Sequence, residues 1–218
     1  MINHHDVLLK CRNQLLTTQA ATTGSTTLVA TENGFTRSAG DFVADGFVSG
    51  MEVKPAGFTD NSAGLISTVT STTITLRGTR AAQPSGSGRT LSVEIPELRG
   101  WSNLEVDPIT DRWYIEEEYL PGPSRQTSVG TLGDMDHLPV YLTRLFSPQN
   151  TGVNALSKLA DAILDTFAPR YAMTLADGNI LRVRSNPGPE RSQVLRDDDG
   201  FAYTLVTIPL WGRTRNII

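Results

Sequence analysis

Apolar side chains along this chain change their spacing as it proceeds, and each change marks a different kind of structure. Val7, Leu8, Cys11 and Leu15 recur at helical spacing behind Asn3, a residue suited to accept from the free amides at a helix start. They predict a helix over residues 3–17, with Asp6 at the capping-box position usually held by Glu or Gln. So short a helix does not persist alone in water and must dock elsewhere. From 22 to 95 the helical period vanishes, and 23 of these 74 positions are Ser or Thr. Short runs predict strands at 28–31, 42–48, 51–55, 65–69, 73–77 and 91–95. Alternation is clean at Ile74 and Leu76, and again at Leu91, Val93 and Ile95. Glycines at 46, 50, 57, 64 and 78 mark turns, and 83–89 (QPSGSGR) reads as a mobile loop, so this segment is expected to form a small sandwich or barrel.

After Pro96 the pattern changes again. Trp113, Ile115, Glu117 and Tyr119 share one face of a predicted strand, and Tyr114, Glu116 and Glu118 share the other. Residues 121–136 read as a long polar connection. Leu138, Val140, Leu142 and Phe146 predict the apolar side of a second strand, where Arg144 needs an anionic partner or an escape to solvent. The second helix is predicted at 153–167 from Leu156, Leu159, Ala160, Ile163 and Phe167, with Pro169 stopping it. Strands at 180–184 and 201–210 close the pattern, joined by a loop over 187–199. The expected fold is α+β: a mixed or antiparallel sheet with two main helices, plus an inserted all-β sandwich or barrel. Its core is expected to be discontinuous, 1–21 with 96–218, and the insertion to be 22–95.

Composition narrows the chemistry. With 218 residues and 39% hydrophobic content the chain can bury a core, and its net charge of -4 disfavours gripping a nucleic-acid duplex. One cysteine excludes a disulfide framework within the chain and a cysteine-based metal site. No basic region and apolar run follow Met1, and no stretch nears eighteen apolar residues, so neither a cleaved export signal nor a membrane span is expected. Cys11 lies on the apolar stripe and reads as an inert thiol, adjacent His4 and His5 cannot share a helix face, and His137 lacks companions at ligand spacing. Glu116, Glu117 and Glu118 have the spacing of a glycosidase pair, but nothing predicts a sugar cleft, and an acidic solvated face accounts for them better. Asp197–Asp199 with Gly200 reads as a hairpin turn rather than a calcium loop, and neither a phosphate loop nor Gly-x-Ser-x-Gly occurs. No catalytic, cofactor or metal site is expected. Arg182, Arg184, Arg191, Arg196, Arg213 and Arg215 gather positive charge that is either solvated strand edge or a seat for an acidic partner subunit.

Residues 101–210 resemble the tail terminator proteins of long-tailed bacteriophages. The likeness is carried by Trp101-Ser-Asn103, Trp113-Tyr-Ile-Glu-Glu-Glu118, Val140-Tyr-Leu-Thr-Arg-Leu-Phe-Ser-Pro148, Gly152, the helix bearing Ala160 to Phe167, and the strand with Thr204 to Pro209. The resemblance implies a structural virion protein and no enzyme. Such proteins form a ring, usually a hexamer, that caps the tail tube, ends its polymerisation and offers a surface to head-side neck proteins. Implied partners are other copies of the chain, the tail tube protein and a neck or stopper protein. DNA passes through the lumen without specific binding, and no membrane or cofactor is involved. Assembly in the host cytoplasm and a final place in the tail or neck follow from the same likeness. The alternative is another virion component, such as a neck adaptor or a tube subunit. Residues 35–76, including Phe35-Thr-Arg-Ser38 and Asp41 to Met51, resemble a small β module of phage virion proteins, expected to project from the ring and to be dispensable for its closure. Exposure and charge make Arg125, Asp134, Asp136, Arg144, Arg213, Arg215, Ile217 and Ile218 candidate interface residues, and Glu116 and Glu118 candidates for an anionic lumen wall.

Overall fold

Asn3 starts the first helix as a cap should: α1 spans His4–Leu15, and the Asn3 side chain accepts from the amides of His5 and Asp6 at 3.1 and 3.3 Å. The computed structural model of the chain describes residues 2–24, 26–101, 112–128, 133–148, 151–196 and 201–215. Val7, Cys11 and Leu15 are buried, as their spacing requires. Asp6 does not close a capping box; its carboxylate instead accepts from the amide of Ala176 at 2.5 Å.

Seven strands follow: β1 (Gln19–Thr22), β2 (Thr26–Thr31), β3 (Gly34–Thr36), β4 (Glu52–Ala56), β5 (Gly64–Val69), β6 (Thr73–Leu76) and β7 (Gln83–Glu94). They pair in the order β7-β2-β3-β6-β5-β4, and β4 pairs back onto β7, so six strands close a barrel; β1 pairs with the last residues of β7, Ser92–Glu94, ahead of β2. Closure leaves no free edge among the six. Two expectations fail here. Residues 42–48 are a turn, not a strand, because Asp41 accepts from the amides of Val43 and Ala44 at 2.8 and 3.2 Å and Phe42 meets Phe47 edge to face at 5.8 Å. Residues 83–89 are the start of β7 rather than a mobile loop. The Arg89 guanidinium curls back over Gly86, donates to the carbonyls of Leu28 and Pro84 at 2.8 and 2.6 Å, and lies 4.6 Å from the Phe58 ring.

The second sheet contains β8 (Glu97–Trp101), β9 (Tyr114–Leu120), β10 (Ser124–Gln126), β11 (Asp134–His137), β12 (Val140–Ser147), β13 (Ala172–Thr174), β14 (Ile180–Val183), β15 (Glu190–Arg191), β16 (Leu195–Arg196) and β17 (Ala202–Arg215), with α2 (Val153–Thr166) following β12. The long β17 is its axis. Its residues pair with β11 and β12 along one edge and with β14, β15 and β16 along the other. Only β8 and β9 run parallel among the described pairs. Strand accounts for 46% of the chain and helix for 14%, so the α+β class expected from the sequence is wrong: the protein is mostly β. The connections expected at 121–136 and 187–199 are partly strand: β10 and β11 pair antiparallel between Ser124 and His137, and β15 and β16 lie within 187–199. Neighbouring strands satisfied their backbone groups, and that outweighed local turn preference.

α1 docks on this sheet and on α2. Arg12 reaches Glu117 of β9, His4 Nδ1 meets the Tyr119 hydroxyl at 2.8 Å, and Thr18 donates to Thr166 at 2.9 Å. The barrel is joined to the sheet as well. The Trp113 indole donates to the Gly50 carbonyl at 2.9 Å in a buried contact, and a Cβ at Gly50 would stand 2.2 Å from the Thr151 carbonyl oxygen. One hydrophobic cluster includes Phe42, Met51 and Val93 of the barrel region together with Trp113, Leu159 and Ile208. The barrel therefore packs on the second sheet of its own chain. β12 also turns the opposite way from expectation. Tyr141, Thr143 and Leu145 are buried, while Val140 and Leu142 are half-buried and Arg144 is exposed.

Candidate functional site

Pairing register sorts the side chains of the second sheet into two faces. Glu116, Arg144 and Leu205 stand in one row across β9, β12 and β17, Glu118, Leu142 and Thr207 in the next, and Leu120, Val140 and Pro209 in a third. Alternate rows, such as Glu117, Thr143 and Val206, point to the opposite face, where α1 and α2 pack. That inner face holds a buried polar knot. Arg12 donates through Nε to Glu117 at 2.8 Å and also through its terminal nitrogen, and the Tyr141 hydroxyl donates to the second carboxylate oxygen at 2.7 Å. Glu117 is only 3% exposed, so the ion pair and the hydroxyl together offset its lost hydration. The same surroundings push the Tyr141 hydroxyl and the Cys11 thiol well above their usual values, burial first and the Glu117 charge second. Cys11 is therefore inert.

The outer face is different, because no helix among the described residues lies on it. Arg144 sits between Glu116 at 3.6 Å and Glu118 at 3.7 Å, and Tyr114, Phe146 and Tyr203 stack at centroid separations of 4.5 and 5.4 Å. Farther along β17, Arg213 pairs in register with Asp136 and donates to it at 2.7 and 3.3 Å, while Arg125 flanks Asp136 from β10. Hydrogen bonding from Arg213 holds the Asp136 carboxyl below its usual value. Arg215 pairs in register with Asp134. Sequence reasoning chose Arg125, Asp134, Asp136, Arg144, Arg213, Arg215, Glu116 and Glu118 from three separate segments, and the register brings all eight positions to this one face. Ile217 and Ile218 lie outside the described residues. Glu117 parts company with its neighbours: the acidic solvated strand read from the sequence has its central carboxylate buried and salt-bridged.

Sequence reasoning missed His137. Its imidazole is 4% exposed and touches the Ser124 hydroxyl through Nδ1 and the Thr214 hydroxyl through Nε2, both at 2.8 Å, clamping β10 and β17 to β11. Burial lowers its pKa. The clamp depends on strand pairing between residues far apart in the chain, so no local pattern announces it. Among the described residues no cluster of three or more His, Cys, Asp or Glu is placed to hold a metal. A polar cleft of about 410 Å³ between β1 and α2 is lined by Gln19, Lys158, Asp161 and Asp165. Its apolar lining is limited to Ala20 and Ala162, against the mostly apolar walls of a small-molecule site.

The profile of the phage tail terminator protein family matches residues 90–208, a span that contains β9, β12, α2 and the first half of β17, up to Ile208. The chain belongs to the phage tail terminator family. It is accordingly a structural protein of a phage tail, a component of the virion, and its family is not known for enzymes. Family membership brings contacts with other tail proteins. No curated protein matches the chain. One solved structure is similar over 55% of this chain and 79% of that one, with 16% identity and a TM-score of 0.42. No helix among the described residues is long and apolar enough to cross a membrane.

Proposed function

We propose that this terminator forms a closed homo-oligomeric ring, a hexamer, that caps the phage tail tube, ends its polymerisation and presents its other side to a head-side neck or stopper protein. The family match over 90–208 is the observation that carries this reading. A sheet with one face packed on helices and the other without a helix among the described residues supports it, since such a face is suited to covering by another subunit. In this reading the core is 1–21 with 96–218, the barrel of 22–95 is an insertion, and assembly takes place in the host cytoplasm. DNA threads the lumen without being gripped, in keeping with a net charge of -4.

Negative-stain images and solution mass of the purified protein, alone and with tail tubes, test the proposal. Six-fold rings seated on tube ends, and tubes that stop growing when the protein is added, are the expected outcome. Open tubes built from this chain alone, twelvefold rings or a monomer that ignores tube ends would each reject it in favour of a tube subunit, a neck adaptor or neither.

A further inference from the structure

Charge is unevenly spread over the outer face of the second sheet. On its β9 flank Glu116 and Glu118 share the single Arg144, and Leu120 beside them is 41% exposed. On the opposite flank, beyond β17, Arg182 pairs in register with Trp211 and the Arg184 amide donates to the Pro209 carbonyl, which puts Ile180, Arg182 and Arg184 on the same outer face. Ile180 is 44% exposed. Neither Arg182 nor Arg184 makes an ion pair among the described residues; the Arg184 guanidinium donates to the Asn186 carbonyl at 3.0 Å. Three strand spacings, roughly 14 Å, separate β9 from β14. One face therefore carries an acidic flank with an exposed leucine and a basic flank with an exposed isoleucine, too far apart to neutralise each other within one chain.

We propose that the β9 flank of one copy, through Glu116, Glu118 and Leu120, seats against the β14 flank of the next, through Ile180, Arg182 and Arg184. The occupant of this face is a second copy of the chain, because each flank supplies the charge and the apolar contact that the other lacks. Because the acidic flank of one copy meets the basic flank of the next, unlike patches meet at the joint; the contact is head to tail, and such a contact closes by rotation into a ring. The inference rests on the ring reading above and assigns its subunit joint. It also takes Glu116 and Glu118 away from the lumen wall. Both carboxylates already lean on Arg144, and the basic counterpart they fit lies on this same face.

The test is assembly by light scattering, with thermal melting of each variant to check its fold. Glu118→Arg and Arg182→Glu alone should each raise the concentration needed for assembly about tenfold or more. The double variant E118R/R182E should recover to within about threefold of the parent, since the swap restores opposite charges at every joint. A folding lesion would not be repaired by a second change three strands away. If either single variant melts early, Leu120→Asp and Ile180→Asp, both at exposed side chains, replace them with the same loss expected. A parent protein that assembles while every single variant assembles equally well overturns the joint and leaves the ring standing. Failure of the double swap to recover also overturns it, as does a parent that stops at a dimer, which is the mark of a twofold face-to-face contact. A parent that stays monomeric even beside tube ends removes the ring and the joint together.

Discussion

At the scale of single residues, the decisive side chains are those whose surroundings admit no substitute. Glu117 is an anion in a nearly closed space, and removing Arg12 strands it beside the Tyr141 hydroxyl. Arg12→Ala should cost on the order of 3 kcal/mol, or roughly 6–12 °C in melting midpoint for a chain of this size. A shift of less than roughly 2 °C by circular dichroism would show that the carboxylate is hydrated after all. Gly50 has φ +90° and the Thr151 carbonyl where its Cβ would go. Gly50→Ala should destabilise by about 2 kcal/mol or more, and because the Gly50 carbonyl also receives the Trp113 indole proton, the tryptophan fluorescence should change with it. Gly50 was legible in the sequence as a turn glycine. Its contact with Thr151 was not, since the two meet only once the barrel has packed on the sheet.

At the scale of elements, the β10, β11 and β17 assembly is the part of the sheet that should respond to pH. Burial disfavours the His137 cation in the folded state, so its folded pKa lies below the unfolded value near 6.5. The unfolded chain binds the extra proton first. Stability is therefore fully present above about pH 6.5 and declines as pH falls through that value toward the folded pKa. Asp136, held down by Arg213, adds a second decline of the same sign below the usual carboxylate value of 3.8. Hydrogen exchange at the amides of β10 and β11 should quicken between pH 7.5 and 5.5 once the intrinsic rate is corrected for, and His137→Gln should flatten that dependence. An unchanged protection factor across the window contradicts the clamp. Elements with a strong period, α1 and α2, were read close to their observed bounds. Elements held by register alone, β10, β11, β15 and β16, were not, because nothing in two to four mostly polar residues distinguishes a short strand from a turn.

At the scale of the whole molecule, the barrel and the second sheet are held together by Trp113 and by a shared apolar cluster. Replacing 22–95 with a short linker should uncover Trp113 and Leu159, lower the melting midpoint of what remains and bind a hydrophobic dye, whereas a freely projecting module would leave the remainder as stable as before. The outer sheet face belongs to this scale too. Val140 and Leu142 are too apolar for open water, yet the β12 core side belongs to Tyr141, Thr143 and Leu145. A strand with apolar residues on both sides is built to be covered twice.

That double coverage explains where reading the chain succeeded and where only the folded molecule could answer. Local periodicity determined α1, α2, the paired faces of β9 and the change of character at 22 and 96, because helical stripes and β alternation are set by neighbours a few residues apart. Which side of β12 faces the helices was not local. Either apolar face could have gone inward; in the fold it is the Tyr141 side, whose hydroxyl completes the pairing of Glu117 with Arg12 from the first helix. Closure of the barrel, the His137 clamp and the gathering of scattered charges on one face were likewise decided by register between distant strands, which a one-residue slip would reverse and which no stretch of sequence records by itself.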